Sequence, residues 1–217
     1  MLVKREVITL AVESTYNVNA DPGVSDGILV EDLSFSYAES RMVERNVIKP
    51  TFGKEQSIFA GTLAQVTFTA ELKGSGERGV PPEIGRALRC CGFAETVIPF
   101  SSVYYDLASE DLESCTIKLY QDGRERMLTG CRGTAEFNLT TGDTGKVSFT
   151  FTGHIPEEND RPLLLAEYHA VAPPPVINAA FRVSGFPAVI SALSINLNNS
   201  IVMPPDLSAP DGFGEIR

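Results

Sequence analysis

The chain has 217 residues, of which 43% are hydrophobic and 21% are charged, and its formal net charge at pH 7 is −10. Such a composition suits one large β domain or two small ones, and no apolar run approaches the roughly 20 residues that a membrane-spanning helix requires. The negative charge disfavours sequence-specific binding of nucleic acid, which needs clustered Lys and Arg, but it suits a surface that has to keep nucleic acid off.

Alternating apolar and polar residues predict antiparallel strands in the first third of the chain. Residues 3–12 form the first strand, and the charged residues Lys4 and Arg5 indicate a mature N terminus rather than a signal peptide. Residues 28–37 form the second strand, and an offset in their alternation predicts a bulge near Glu31. Residues 41–48 are expected to be extended.

Residues 49–62 form a long connection, and a connection of this length in a compact domain is typically functional or disordered. It contains Phe52, Ile58 and Phe59, which are unfavourable in water and are therefore candidates for an intermolecular contact. The alternative is that these three side chains pack on the core of their own chain.

A strand and a helix follow, joined by a glycine turn. The alternation of residues 64–72 predicts a half-buried strand with two unlike faces. The apolar face carries Val66, Phe68, Ala70 and Leu72, and the polar face carries Gln65, Thr67, Thr69, Glu71 and Lys73. The helix is predicted over residues 81–92, because Pro81 and Pro82 fit only an opening turn and Gly92 supplies the left-handed residue after the end.

The glycine turn itself, Gly74 to Gly79, has the letter pattern of a dinucleotide-binding fingerprint, with Glu95 at about the right distance. In that fingerprint the helix has already begun at the last glycine, whereas Pro81 and Pro82 delay the start of this one. The preceding strand also alternates, while a doubly wound sheet requires a strand that is buried on both faces. We therefore expect no nucleotide cofactor.

Two hairpins are predicted in the second half of the chain, after an apolar and aromatic stretch at residues 97–107. Residues 115–120 and 124–129 flank Asp122-Gly123, a pair favoured by type I′ turns. Residues 134–139 and 146–152 form the other hairpin, and both of its strands alternate.

Beyond Gly153 the composition changes, and this change predicts three regions. Residues 1–155 are expected to form the sandwich core, residues 156–187 an extended Pro-rich connection that starts with a charged loop, and residues 188–217 the C-terminal strands that complete the sandwich. Within the last region, strands are predicted at 188–197 and 200–203. The final residues resemble the start of another strand, so we expect the natural chain to continue past Arg217.

No residue pattern supplies an active site or a metal centre. Cys90, Cys91, Cys115 and Cys131 lack the spacing of a zinc site or a disulfide framework, and reduced thiols are the simpler interpretation. His154 and His169 have no acid or thiol at ligand spacing and are expected to be structural or exposed. Met42, Met127 and Met203 are interpreted as core residues. We expect no enzyme activity, no metal and no cofactor.

The unusual feature is the set of uncharged polar side chains on the outer faces of at least three predicted strands. An ordinary sandwich with a solvated outer face would also have such residues. However, these faces carry few lysines, and flat strands with uncharged edges normally pair with another chain. Identical subunits that close their strands into a ring would remove those edges.

Seven stretches, in their order and spacing, carry a resemblance to a known family. They are Glu13 to Tyr16, Val43 to Pro50, Val66 to Gly76, Ala87 to Glu95, Tyr120 to Gly123, Thr129 to Gly133 and Phe149 to Gly153. Over most of residues 1–155, and more loosely afterwards, the chain resembles the major tail tube proteins of long, noncontractile-tailed bacteriophages.

The resemblance implies a mainly β protein: an antiparallel β-sandwich with one flanking helix, whose strands join an inter-subunit β-barrel in a hexameric ring. Rings stack into a tube that conducts DNA during ejection. The implied partners are the protein itself, the tape measure, terminator and tip proteins, and DNA in transient, non-specific passage, with no membrane. The implied location is the virion tail, assembled in the host bacterial cytoplasm.

The predicted strands and the long connection supply the candidate surfaces for these roles. The candidates for the lumen are Gln65, Thr67, Thr69, Glu71, Glu136, Asn138, Ser148 and Thr150. The candidates for the contact between stacked rings are Phe52, Ile58 and Phe59. Polar and acidic side chains in a lumen would repel phosphate and leave DNA no cationic contact.

Three alternatives stay open at this point. A tube protein of a related injection system, or a tail-completion ring protein, would use the same strands without a genome cargo or without unlimited stacking. A carbohydrate-binding β-sandwich would not assemble at all, but the chain has no Trp to stack on sugars.

Overall fold

Fourteen strands lie within residues 5–217, the part of the chain that the computed structural model describes. In chain order they are β1 (Glu6–Val12), β2 (Gly27–Ile28), β3 (Val30–Ala38), β4 (Met42–Val43), β5 (Ile58–Phe59), β6 (Leu63–Glu71), β7 (Phe93–Ile98), β8 (Ser102–Leu107), β9 (Cys115–Gln121), β10 (Arg124–Thr140), β11 (Lys146–Asp160), β12 (Arg182–Val183), β13 (Phe186–Pro187) and β14 (Ala192–Asn196). A 3₁₀ turn spans Val24–Asp26, and the helix α1 spans Gly85–Arg89.

Eight of these strands form one antiparallel sheet, in which seven follow the order β2-β1-β9-β10-β11-β6-β3 and β14 pairs with β10 beside this path. The long strand β10 connects its two halves: β11 follows one edge, while the other edge pairs first with β9 and then, over residues 136–140, with β14. Register shifts between Met127 and Arg132 bend β10 in the middle. The bend lets one strand belong to two layers.

The core lies between those layers. Ile8 and Ile117 from β1 and β9 share a buried cluster with Val66, Phe68 and Phe149 from β6 and β11, although these strand pairs are separated in the sheet order. The sheet therefore folds over on itself, and the predicted antiparallel β-sandwich is confirmed. The predicted bulge near Glu31 is confirmed as well, by a register shift between Glu31 and Ser34.

Three two-stranded hairpins stand apart from this sheet: β4 with β5, β7 with β8, and β12 with β13. The first contains residues 49–59 of the predicted connection at 49–62, and we call residues 42–59 the arm. The second accounts for the aromatic stretch at residues 97–107, which begins within β7 and continues as β8. The Asp122-Gly123 hairpin between β9 and β10 is confirmed, with φ of 49° and 84° at the two turn residues.

The predicted helix was too long. α1 has five residues rather than the span 81–92, because Pro81 and Pro82 precede a turn in which Gly85 N donates to Pro82 O at 2.9 Å. After Arg89 the chain continues in tighter turns, with Cys91 N donating to Leu88 O. Gly92 has the predicted left-handed conformation, with φ of 91°.

Other local predictions were wrong as well. Pro156 to Asp160, predicted as the start of a charged loop, continues β11, and Glu157 to Asp160 pair with residues 124–127 of β10. Leu72 and Lys73 exchange their predicted environments, since Leu72 is exposed and Lys73 is buried against Glu83 at 3.5 Å. The regular alternation stops at Glu71, where β6 ends.

The last residues of the chain pack on the sandwich. We call residues 211–217 the C-terminal segment; its Phe213 and Ile216 form a small buried cluster with Leu63. Residues 200–203, predicted as a strand, instead contribute a pair of backbone hydrogen bonds in which Val202 and Arg217 each donate to the other. The predicted division into residues 1–155, 156–187 and 188–217 remains a prediction.

Candidate assembly surfaces

All eight lumen candidates lie on one face of the sheet. The register aligns them in rows across β10, β11 and β6, in which Glu136 faces Ser148 and Ser148 faces Thr69, and Thr150 faces Thr67. β14 and β3 extend the rows, because Asn196 pairs with Glu136 and Ser34 pairs with Thr67. We call this five-strand surface, in the order β14-β10-β11-β6-β3, the polar face.

Hydrogen bonds between neighbouring strands stabilise the polar face. Thr69 and Ser148 join their hydroxyls at 3.0 Å, and Glu136 accepts from Ser194 Oγ at 3.0 Å and from Asn196 Nδ2 at 3.1 Å. These contacts fix the side chains without any apolar cover. The face is consequently polar. Its side chains on β6, β10 and β11 are half-buried, whereas Ser34 on β3 and Ser194 and Asn196 on β14 are exposed.

The cations on the polar face are already paired with carboxylates. Lys146 lies 2.7 Å from Glu31, and the hydrogen bond from its ammonium to Glu31 raises the pKa of Lys146, with further acidic contributions from Asp143 and Asp32. Arg132 lies 2.9 Å from Glu215. A phosphate that approaches this surface would have to compete with carboxylates for both groups.

Two strand edges flank the polar face. Within residues 5–217, β3 pairs with β6 alone and β14 with β10 alone, so each leaves one backbone edge unpaired by this chain. The edges lie on opposite sides of the same surface. An unpaired edge of this kind is a template for a strand of another chain.

The arm exposes apolar side chains. Phe52 is fully exposed and Phe59 is 60% exposed, and Ile58, Met42 and Ile48 are exposed as well, so the interpretation of Met42 as a core residue was wrong. The three ring-contact candidates lie on one hairpin, and their side chains are exposed rather than packed on the core of their own chain. Exposed apolar residues that adjoin one another are typical of protein contact sites.

The C-terminal segment holds the base of the arm. Arg41 pairs with the strand of Ala60 and Gly61 through backbone hydrogen bonds of 2.9 Å. Its guanidinium donates to Gly212 O at 2.9 Å and lies 3.7 Å from the centre of the Phe213 ring. The direction of the arm is thus fixed by the end of the chain.

Several of the stretches that carry the family resemblance meet beneath the C-terminal segment. Glu13 is buried and accepts hydrogen bonds from Ser114 Oγ, Thr116 Oγ1 and Gly130 N, at 2.6 to 2.8 Å. A Cβ on Gly130 would lie 2.9 Å from the Tyr16 ring, which explains the glycine at this close approach. These residues join the loop after β1 to the bend of β10.

Tyr16, His154 and Asp211 form a chain of hydrogen bonds at the same place. Tyr16 Oη lies 3.0 Å from His154 Nε2, and His154 Nδ1 lies 2.5 Å from Asp211 Oδ2. Burial raises the pKa of Tyr16 to about 12, and its oxygen accepts the Ile216 N–H at 2.8 Å. A neutral phenol that already accepts a hydrogen bond from the backbone is a poor nucleophile. The role of these hydrogen bonds is therefore to attach the C-terminal segment to the sandwich.

The remaining predicted features have structural positions. The turn Gly74 to Gly79 is followed by Val80 to Ile84 before α1 begins, so its last glycine lies outside the helix, unlike that of the dinucleotide fingerprint. All four cysteines are buried free thiols. Within residues 5–217 no group of three or more His, Cys, Asp or Glu side chains could hold a metal ion, and no helix is long and apolar enough to cross a membrane.

Sequence reasoning missed two sets of residues. The polar contacts of Glu13, Arg132 and Asp211 join residues that are 117, 83 and 57 positions apart, and no local pattern marks such partners. The other set forms an apolar groove beside the β10–β11 turn, lined mainly by residues 176–193. The sequence analysis divides these residues between the extended connection at 156–187 and the predicted strand at 188–197, and neither prediction indicates a groove.

Comparison with known proteins places the chain in a family. A comparison with curated proteins found no match, but a family model described as phage tail tube protein matches residues 4–214. Proteins of that description are structural parts of a virion tail, where they assemble with themselves and with other tail components, and theirs is not an enzyme family. Because the match covers nearly the whole chain, the chain belongs to the family of phage tail tube proteins.

Proposed function

We propose that this protein forms the tail tube of a phage with a long, noncontractile tail, as stacked hexameric rings that conduct DNA during ejection. The observation that carries this proposal is the polar face, a five-strand surface with an unpaired edge on either side. Edge-to-edge pairing of identical subunits closes such a surface into a barrel and removes both of these edges.

The polar face suits the wall of a DNA channel. Its hydroxyl, amide and carboxylate groups, with both cations paired to carboxylates, present nothing that would hold a phosphate backbone. The net charge of −10 adds long-range repulsion. DNA would therefore pass without having to break attractive contacts with the wall of the channel.

The arm supplies the contact between rings. Apolar side chains on a projecting hairpin stabilise a subunit only when another surface covers them, and a stacked ring provides that surface. The same tube would end at the terminator and tip proteins and enclose the tape measure, after assembly in the host bacterial cytoplasm.

Substitution of one arm residue tests the proposal. Phe59→Asp is expected to leave a folded subunit that no longer polymerises, because the carboxylate would be buried in the contact between rings. Phe59 is already 60% exposed in the subunit, so its thermal melting temperature should change little. Val18→Asp is the matched control, because Val18 is similarly exposed, at 54%, and belongs to the loop after β1 rather than to the arm.

Negative-stain electron microscopy of the purified variants distinguishes the outcomes. Wild type and Val18→Asp should form tubes, and Phe59→Asp should give single rings or subunits. Normal tubes from Phe59→Asp would contradict the role of the arm. Wild-type protein that forms single rings only would indicate a tail-completion ring protein instead.

A further inference from the structure

The arm and the apolar groove beside the β10–β11 turn lie at opposite ends of the polar face. The arm joins the end of β3 to the start of β6, where Ala38 pairs with Leu63. The groove lies at the other end, where Lys146 of β11 pairs with Glu71 of β6. The nine residues of β6 separate the two ends by roughly 30 Å.

Backbone hydrogen bonds form the groove within the subunit. Val176 N donates to Asp143 O at 2.8 Å, Gly142 N donates to Val176 O at 3.1 Å, and Thr141 N donates to Ser191 O at 3.0 Å. Residues 176–191 are thereby fastened to the β10–β11 turn. The groove requires no rearrangement before it can accept a partner, which lowers the entropic cost of binding.

The groove is apolar and partly empty. Its volume is about 340 Å³, at the lower end of the range of about 300–1,000 Å³ for ligand pockets. The side chains that give it its apolar character are Leu139, Val176, Ile177, Phe181, Val189 and Ile190. Val189 is fully exposed, and Ile177 and Ile190 are exposed as well.

Charges around the two surfaces are complementary. The arm carries three basic residues, Arg45, Lys49 and Lys54, against two acidic ones, Glu44 and Glu55. The groove end carries four carboxylates against two cations. The carboxylates are Glu31, Asp32, Glu71 and Asp143, and the cations are Lys146 and Arg182. The arm thus has one excess positive charge, and the groove end has two excess negative charges.

We propose that the arm of one subunit docks in the apolar groove of a second copy of this chain, in the neighbouring ring. Phe52 and Ile48 would fill the groove, with the basic residues of the arm against the acidic end of the polar face. The proposal rests on the stacked-ring function proposed above and names the surface that receives the arm.

The position of the two surfaces determines the mode of assembly. A contact between unlike surfaces at opposite ends of a subunit is heterologous. Such a contact forms a closed ring only if each subunit is rotated by a suitable angle relative to the one before it. Without that rotation, the contact adds subunits without limit. A contact of the arm with another arm would be isologous and would stop at a pair of rings. The arm–groove contact therefore accounts for a stack with one direction.

Cross-linking tests the proposal. The four native cysteines are buried, so Phe52→Cys and Val189→Cys introduce the only exposed thiols of the described chain, at two fully exposed positions. Under mild oxidation the double variant should form a ladder of disulfide-linked multimers on a denaturing gel. Either single variant alone should not, and the pair Phe52→Cys with Val18→Cys provides the matched control.

A second variant addresses the groove without any change in the arm. Val189→Asp should reduce the polymerised fraction at least ten-fold while the subunit stays folded, because Val189 is fully exposed in the subunit. Tubes that form normally, without a cross-link between positions 52 and 189, would overturn the arm–groove contact but leave the tube function intact. Wild-type protein that forms no rings or tubes would overturn both.

Discussion

Arg132 and the groups around it show how single side chains attach the end of this chain. The Arg132 guanidinium lies 5.3 Å from the centre of the Tyr16 ring and donates to Leu112 O, Ile216 O and Glu215. One residue at the bend of β10 therefore joins a loop to the C-terminal segment. The same segment fixes the base of the arm through Arg41, so the effect of these contacts reaches a proposed assembly surface.

The pair of Arg132 and Glu215 predicts a pH dependence. The hydrogen bond from Arg132 is the largest cause that lowers the pKa of Glu215 below its ordinary value of 4.5. A carboxyl with a lowered pKa in the folded state contributes stability above its unfolded pKa, and this contribution disappears as the pH falls through the folded pKa. Glu215→Gln should therefore be less stable than wild type at pH 7, and the difference should shrink below about pH 4.

Urea unfolding of both proteins at pH 7 and at about pH 3.5 measures this difference. Because the Glu215 side chain is 40% exposed, solvent screens the pair and the effect should be modest. Glu110→Gln is a suitable control, since Glu110 is exposed in the loop before β9. A difference that stays constant from pH 7 to pH 3.5 would show that the ion pair is not its source.

At the scale of strands, the polar face leads to a prediction for the passage of DNA through the proposed tube. Thr67 and Thr150 face each other across β6 and β11, at half-buried positions in the middle of the face. Thr67→Lys with Thr150→Lys should permit assembly but slow the release of DNA, because two lysines per subunit would add a cationic band around the channel. The delay should shorten as salt is raised.

Release of DNA from virions that carry this double variant provides the measurement. Thr67→Ser with Thr150→Ser is the matched control, because it keeps the hydroxyls and adds no charge. Release kinetics equal to those of wild type at every salt concentration would place the face outside the channel.

Strands were the elements most readily predicted, and the reasons are physical. A strand with one buried face must alternate between apolar and polar residues. The apolar residues Val66 and Phe68, with the polar Thr67 between them, therefore predicted both the strand β6 and which of its faces is buried. α1 was overestimated because the spacing of apolar residues after Pro81 fits a sequence of tight turns as well as it fits a helix. The far end of β11 was missed because strongly charged residues such as Glu157 and Glu158 are typical of loops.

Of the candidate surfaces, too, one part could be predicted from the sequence and another part could not. The eight polar-face residues were predictable, because each follows from the alternation of its own strand. That they form one continuous surface depends on the register between strands, which no single strand determines. The groove was not predictable, because it joins the turn at Thr141 to residues near Val176 and Ser191, brought together only by the fold.

At the scale of the whole molecule, the proposed tube assigns different contacts to the polar face, the arm and the groove. The polar face and its two edges would make the contacts within a ring. The arm and the groove, at opposite ends of that face, would make the contacts between rings. In this proposal a ring closes before rings stack, so that a single chain would supply both a closed barrel and an open-ended tube.

A cryo-electron microscopy reconstruction of tubes assembled from the wild-type protein tests the central claim most directly. We expect six-fold symmetric rings whose channel is lined by the polar face, with Thr67, Ser148 and Thr150 toward the lumen and a continuous barrel between the β3 edge of one subunit and the β14 side of the next. A channel lined by β1 and β9, with the polar face on the outside of the tube, would contradict the claim.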